Sequence, residues 1–135
     1  MLLNCIGNTT EGLTDAQREH TRGHLNVSSV YLTRGETYVA LGVVFRQGQP
    51  WFLVCEEDDA QYPTLHFNGF FEVTDARVPP GWSMSTQGGN FKAFALLPES
   101  WASNPRFMEP LVEGDPGAVA AFQDLARSLE TWHQV

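Results

Sequence analysis

Tyr38-Val39-Ala40-Leu41-Gly42-Val43-Val44-Phe45 is followed, after Arg46, by Gln47-Gly48-Gln49-Pro50 and then by Trp51-Phe52-Leu53-Val54-Cys55. In the first segment Val39, Leu41, Val43 and Phe45 fall on one face, and Tyr38, Ala40, Gly42 and Val44 on the other. Both faces are apolar, so the pattern predicts one strand from Tyr38 to Phe45 covered on both sides. The glycine-bearing turn joins it to Trp51–Cys55 as a hairpin. Pro50 has no N–H to give to a ladder and belongs at the entrance of the returning strand.

Working outward, Leu2–Ile6 reads as a first strand closed by Gly7-Asn8, and Leu32–Tyr38 as a tight turn feeding the long strand. Between them Thr9–Ser29 is polar and predicts a mobile insertion, with one helical stretch at Asp15–Thr21 capped by Thr14. Beyond the hairpin, Glu56–Asp59 is too charged to stay in a sheet and opens a loop through Pro63. Leu65–Phe67 and Phe70–Val73 are strand pieces parted by Asn68-Gly69, and Trp82–Met84 pairs with Phe91–Leu97 across Gly88-Gly89-Asn90.

After Leu97 the signals become helical. Pro98–Trp101 predicts a helical turn, Asn104-Pro105 a cap and first-turn proline, and Asp115-Pro116 the same for a longer helix. In that last helix Ala118, Phe122, Leu125, Leu129 and Trp132 form one apolar stripe. The expected fold class is α+β, mainly β: a small antiparallel barrel or curled sheet followed by C-terminal helices. Residues 1–135 form a single domain, with a β-rich body over 1–97 and a helical segment over 98–135.

The chain carries 16 acidic and 8 basic residues, a formal charge of −8. That charge disfavours nucleic acid and anionic membrane, and favours a basic partner. No segment has the apolar length of a membrane span and Met1–Asn4 lacks a signal-peptide pattern, so the expected location is cytoplasmic. Cys5 and Cys55 make no disulfide framework.

Two stretches resemble small bacterial and phage SH3-like domains. They are Cys5-Ile6-x-Asn8 with Leu32-Thr33-x-Gly35-x-x-Tyr38, and the closing segment Phe70-Phe71-Glu72-Val73-Thr74-Asp75. The resemblance implies a barrel over about the first 75 residues, in which Gly35 makes the tight turn and Tyr38 starts the long strand. The insertion at 9–29 and everything after Asp75 depart from it. In size, acidity and C-terminal helix the whole chain also resembles the single-domain immunity proteins of bacterial polymorphic toxin systems.

Catalytic and metal signatures do not emerge, and no cofactor is expected. His20 and His24 have helical ligand spacing but no third partner nearby, and read as solvated histidines. His66 reads as a structural hydrogen bonder. Cys55 is followed by four acids, which hold a thiol protonated. The sharpest charged feature is Glu56-Glu57-Asp58-Asp59, bracketed by Trp51 and Tyr62, with no Lys or Arg between Arg46 and Arg77. Acids beside aromatics suit an interface that steers and anchors a basic protein.

The expected partner-binding residues are therefore Trp51, Glu56, Glu57, Asp58, Asp59 and Tyr62. The expected function is that of an immunity protein that binds a basic toxin domain and occludes its active cleft. The alternatives are an SH3-like adaptor or regulatory module without toxin antagonism, and an enzyme of unfamiliar type built on His66 or Glu56.

Overall fold

At the hairpin, Gln47 (φ 51°) and Gly48 (φ 76°) are both left-handed, the two-residue turn whose twist matches that of paired strands. Across it β3 (Gly42–Arg46) pairs with β4 (Gln49–Val54), from Arg46 opposite Gln49 to Gly42 opposite Leu53. The structure is a computed structural model that describes residues 1–22, 30–86 and 93–134.

The strand expected over 38–45 is in fact two. Thr37–Val39 forms β2, paired with β1 (Leu2–Cys5), whereas β3 belongs to a different sheet. The switch takes two residues. The Ala40 N–H donates to the Met1 carbonyl at 3.0 Å, and the Leu41 N–H donates to the Leu53 carbonyl at 2.7 Å. Apolar residues occupy both faces of the segment because it threads between two sheets. At its far end Phe45 is 38% exposed, against expectation, since the neighbouring strand ends at Ala95, opposite Val44.

The small sheet has the order β2-β1-β6, with β6 at Phe71–Asp75. The large sheet has the order β5-β4-β3-β8-β7, where β5 is Thr64–Phe67, β7 is Trp82–Ser85 and β8 is Ala95–Pro98. All pairings are antiparallel. The chain changes sheets a second time at a 3₁₀ turn, Asn68–Phe70, between β5 and β6. The strands thus make two open sheets and not a closed barrel, while the coarser expectation of an α+β, mainly β chain holds.

Strand alternation separates two cores. Val43, Phe52 and Val54 face the small sheet and pack with Leu3, Cys5, Tyr38 and Phe71. Val44, Leu53, Ala95 and Leu97 face the other way, toward the helices α2 (Glu99–Ala102), α3 (Met108–Val112) and α4 (Pro116–His133). There Trp101 stacks on Phe107 at 4.6 Å and on Phe122 at 6.0 Å. The result is three layers, small sheet, large sheet and helices.

α4 begins as its sequence predicts: the Asp115 carboxylate accepts from the Ala118 N–H at 2.9 Å, and Pro116 occupies the first turn. Phe122 and Leu129 carry the buried part of its stripe. The helix expected at Asn104-Pro105 starts later, at Met108. The Asn104 side chain instead accepts from the N–H of Arg106 at 3.1 Å, an Asx turn that competes with helix. Of the 9–29 insertion, Thr10–Gly12 is a 3₁₀ turn and α1 spans Asp15–Thr21. A reciprocal capping box joins Thr14 and Gln17, and Leu13 is buried against the core. The remainder of that insertion, 23–29, and the turn expected at 88–90 lie outside the described residues. No helix among the described residues is long and apolar enough to cross a membrane.

Gly42 is where the two sheets can diverge. A Cβ there would lie 2.6 Å from Leu97 Cδ2 and 3.1 Å from Leu53 Cδ1. Both leucines are fully buried and have no room to step aside. Gly42→Ala is expected to destabilise the fold by about 1–3 kcal/mol, the usual cost of overpacking. A urea midpoint unchanged from that of the parent would show that this contact is not tight.

Candidate functional site

Three pieces of chain meet where the two sheets part. The first is the turn before β2. It is clamped to β1 by the Gly35 N–H donating to the Cys5 carbonyl at 2.8 Å and the Cys5 N–H donating to the Glu36 carbonyl at 3.0 Å. Gly35 can serve because its φ of 88° is left-handed. The Tyr38 hydroxyl accepts from the Thr33 N–H at 2.9 Å and locks the turn from inside.

The second piece is the chain leaving β4 through Cys55 and Glu56. Its far end is tied down by Gln61, whose side-chain amide donates to the Leu111 carbonyl at 2.6 Å. The third is α4, which presents Ala126 and Glu130 on one face, four residues apart.

Between them lies a cleft of about 300 Å³. Five carboxylates line it, Glu36, Glu56, Glu57, Asp58 and Glu130, over a floor that includes Tyr38, Leu41 and Cys55. No lysine or arginine lines it among the described residues. A second depression shares Thr33, Glu56 and Glu57 with it and continues to Tyr31, whose side chain is 84% exposed. Together they form one acidic groove with an aromatic at its end.

Five of the seven arginines are engaged in ion pairs elsewhere: Arg18 with Asp15, Arg22 with Glu19, Arg77 with Asp75, Arg106 with Glu109 and Arg127 with Asp124. Arg46 lies over the Trp51 ring, 5.1 Å from its centroid. Arg34 belongs to the turn that supplies Thr33 and Glu36 to the cleft, but is not among the residues that line it.

Glu56 is oriented by a hydrogen-bond chain. The Thr64 hydroxyl donates to Glu56 Oε1 at 3.1 Å, and His66 Nε2 lies 2.8 Å from that hydroxyl and 3.3 Å from the same carboxylate oxygen. Thr64 has a single proton, already given to Glu56, so His66 must supply an Nε2–H. Burial lowers the His66 pKa to about 4 and keeps the ring neutral. A neutral, buried histidine thus fixes a carboxylate at the cleft wall, consistent with the structural role expected of it. Glu56 and Thr64 meet the same ring nitrogen, so the three do not form a nucleophile–base–acid relay.

Cys55 is half-buried in the floor, and its pKa is pushed up to about 11, first by burial and then by Glu130 and Asp58. The thiol is protonated near neutrality and a weak nucleophile. Nowhere among the described residues do three or more His, Cys, Asp or Glu converge as a metal would require. His20 stacks with Phe67 at 6.4 Å, and His24 lies outside the described residues.

Of the six expected contact residues, Glu56, Glu57 and Asp58 line the cleft. Asp59 is exposed but is not part of its wall, and Tyr62 is 38% exposed on the loop beyond. Trp51 is 1% exposed and packs edge-on to Phe67 at 5.3 Å. It sits four residues before Cys55, about 13 Å along an extended strand, and offers no surface. Glu36, Glu130 and Tyr31 were not legible as members of the site. Glu130 is distant in sequence, and only its place four residues after Ala126 on a helix face hints at a shared surface.

The His66 brace makes stability depend on pH. The folded ring titrates at about 4 and the unfolded one near 6.5, so the unfolded chain takes up the proton first and acid destabilises the fold. This contribution is complete above pH 6.5 and is lost as pH falls toward 4. Between pH 7.5 and 5.0 it amounts to about 2 kcal/mol. Urea unfolding at these two pH values is expected to show that loss in the parent and a correspondingly smaller one in His66→Gln; equal losses would assign the effect elsewhere.

No family model, curated protein or solved structure matches this chain.

Proposed function

We propose that this chain is an immunity protein: it binds a basic toxin domain through the acidic groove and covers the toxin's active cleft. The observation that carries the reading is the set of five carboxylates around one cleft with no lysine or arginine lining it among the described residues. Gathering like charges raises the energy of the free protein, and a cationic partner relieves it. The carboxylates are distributed round the cleft and do not converge on a point. That arrangement suits guanidinium or ammonium groups on a polypeptide better than a metal ion.

A space of about 300 Å³ does not admit a protein. It admits one or two basic side chains, with the groove toward Tyr31 receiving the residues beside them. Tyr31, by its exposure, takes the anchoring role that the sequence suggested for Trp51. Enzymes that act on nucleic acids often have basic clefts, so the same surface that grips such a toxin also blocks its substrate. Opposite potentials accelerate encounter, which matters for a protein that must capture a toxin before it acts.

The test is co-expression with the basic toxin domain encoded by the neighbouring gene, together with calorimetry on the purified pair. The parent is expected to restore growth. The charge reversal Glu57→Lys, Asp58→Lys, Glu130→Lys is expected to weaken binding by about 100-fold or more. A control of equal charge change, Asp15→Lys, Glu19→Lys, Asp124→Lys, lies outside the cleft and is expected to bind as the parent does. Equal loss in both variants would reduce the effect to net charge. Failure to rescue, with a basic peptide still held in the groove, would favour the adaptor reading.

A further inference from the structure

The outer edge of β2 opens into the acidic cleft. Within a strand the main-chain groups of successive residues point to opposite edges. The Glu36 carbonyl accepts from the Cys5 N–H at 3.0 Å, and the Ala40 N–H donates to the Met1 carbonyl at 3.0 Å, so the even-numbered positions turn toward β1. The odd-numbered ones turn away from it. Leu41 shows where they point: its N–H donates to the Leu53 carbonyl of β4 at 2.7 Å. Thr37 and Val39, the preceding odd-numbered positions, direct their N–H and C=O groups to the same side.

On that side the large sheet no longer follows. The chain leaving β4 at Cys55 diverges from β2, and the cleft of about 300 Å³ is the gap between them. Thr37, Tyr38 and Val39 line one wall of it, and Cys55, Glu56, Glu57 and Asp58 another. Among the described residues only β1 pairs with β2, and no backbone hydrogen bond crosses from Thr37 or Val39 to Cys55–Asp58. Thr37 is exposed, while the Tyr38 side chain belongs to the core between the sheets. What β2 offers the cleft is therefore main chain, one N–H and one C=O each from Thr37 and Val39.

A bare strand edge is a template for another strand, and proteins commonly guard such edges with charge. Here the guard has one sign. Glu36, Glu56, Glu57, Asp58 and Glu130 surround the edge. A second copy of β2 would bring the same carboxylates against these and is repelled. An extended segment bearing lysine or arginine meets hydrogen-bond partners along β2 and opposite charge around it.

We infer that the outer edge of β2 is a strand-addition site, and that its occupant is an extended basic segment of the protein partner. Such pairing rests on the proposed role of the groove and specifies how the partner is held: its main chain bonds to Thr37 and Val39, and its alternate side chains reach the acidic walls. β2 is three residues long, so the pairing is short, in keeping with the size of the cleft.

The probe is an end-blocked six-residue peptide of alternating arginine and valine, titrated into the full chain by calorimetry and followed by amide hydrogen exchange. In the free chain Thr37 and Val39 are expected to exchange fast, and Tyr38 and Ala40 slowly. With the peptide bound, exchange at Thr37 and Val39 is expected to slow by about tenfold or more. Two further peptides are N-methylated, one at the arginine amides and one at the valine amides. These two sets of N–H groups lie on opposite edges of an extended chain, so only one set can face β2. One of the two peptides is expected to bind about tenfold more weakly than the unmodified one, the loss expected for one or two main-chain hydrogen bonds, and the other to bind as the unmodified one does. Both keep the full charge. Equal affinity of the two, or binding that leaves Thr37 and Val39 unprotected, would overturn strand addition and leave the cleft as a receptor for basic side chains alone. A dimeric free chain with both amides already protected would give the edge to a second copy instead. No binding of the unmodified peptide would remove the groove as a site for a basic segment, and strand addition with it.

Discussion

Two neighbouring amides feed two different sheets, and the rest of the architecture follows from that. Ala40 gives its N–H to the small sheet at Met1, and Leu41 gives its own to the large sheet at Leu53. A chain can divide its hydrogen bonds in this way only if the next residue lets two packed leucines close in, and Gly42 does. Had the segment continued as one strand, its alternate faces would have served one layer pair. By switching sheets it contributes Tyr38 and Val43 to one core and Val44 to the other. The opening between the sheets is lined by Val39, Leu41 and Cys55, which also belong to or pack against the core beneath the helices.

The electrostatics follow a similar division of labour. Exposed ion pairs contribute little to stability, on the order of 0–1 kcal/mol each, so the five arginine–carboxylate pairs are not what holds the molecule together. Their consequence is distribution: they engage cations on the outer helices and on the β6 end, away from the cleft. Of the carboxylates without an arginine partner, Glu36, Glu56, Glu57, Asp58 and Glu130 share one concavity, where low-dielectric walls focus their field. The apolar layers beneath must carry the stability that the acidic wall does not supply.

Much of the fold was legible because its signals are local. The hairpin rests on a two-residue turn, α1 on the Thr14–Gln17 box and α4 on Asp115-Pro116, all chemistry contained within four residues. What the sequence could not show is nonlocal. An apolar residue on each face of 38–45 is equally compatible with a strand buried in one sheet and with a crossing between two, and only the partners of Ala40 and Leu41 distinguish them. The same reason divides the site. Glu56–Asp58 is a run, visible to the eye, while Glu36 and Glu130 join it from a turn and a helix far away in sequence. Trp51 misled because adjacency in sequence to an acidic loop says nothing of direction along a strand: the loop leaves at Cys55, and Trp51 faces Phe67 at the other end.

The walls of the cleft are not anchored alike, and the difference is physical. The Glu36 turn is pinned by paired backbone hydrogen bonds to Cys5, and Glu56 by Thr64 and the buried His66. Glu130 has neither. It rides on a helix whose first half is held by Phe122 and whose last turn is held by Leu129 and by His133 against Asp75. Two carboxylate walls are thus fixed by hydrogen bonds and the third by packing, since Leu129, the neighbour of Glu130 in the chain, is buried in the core beneath the helices.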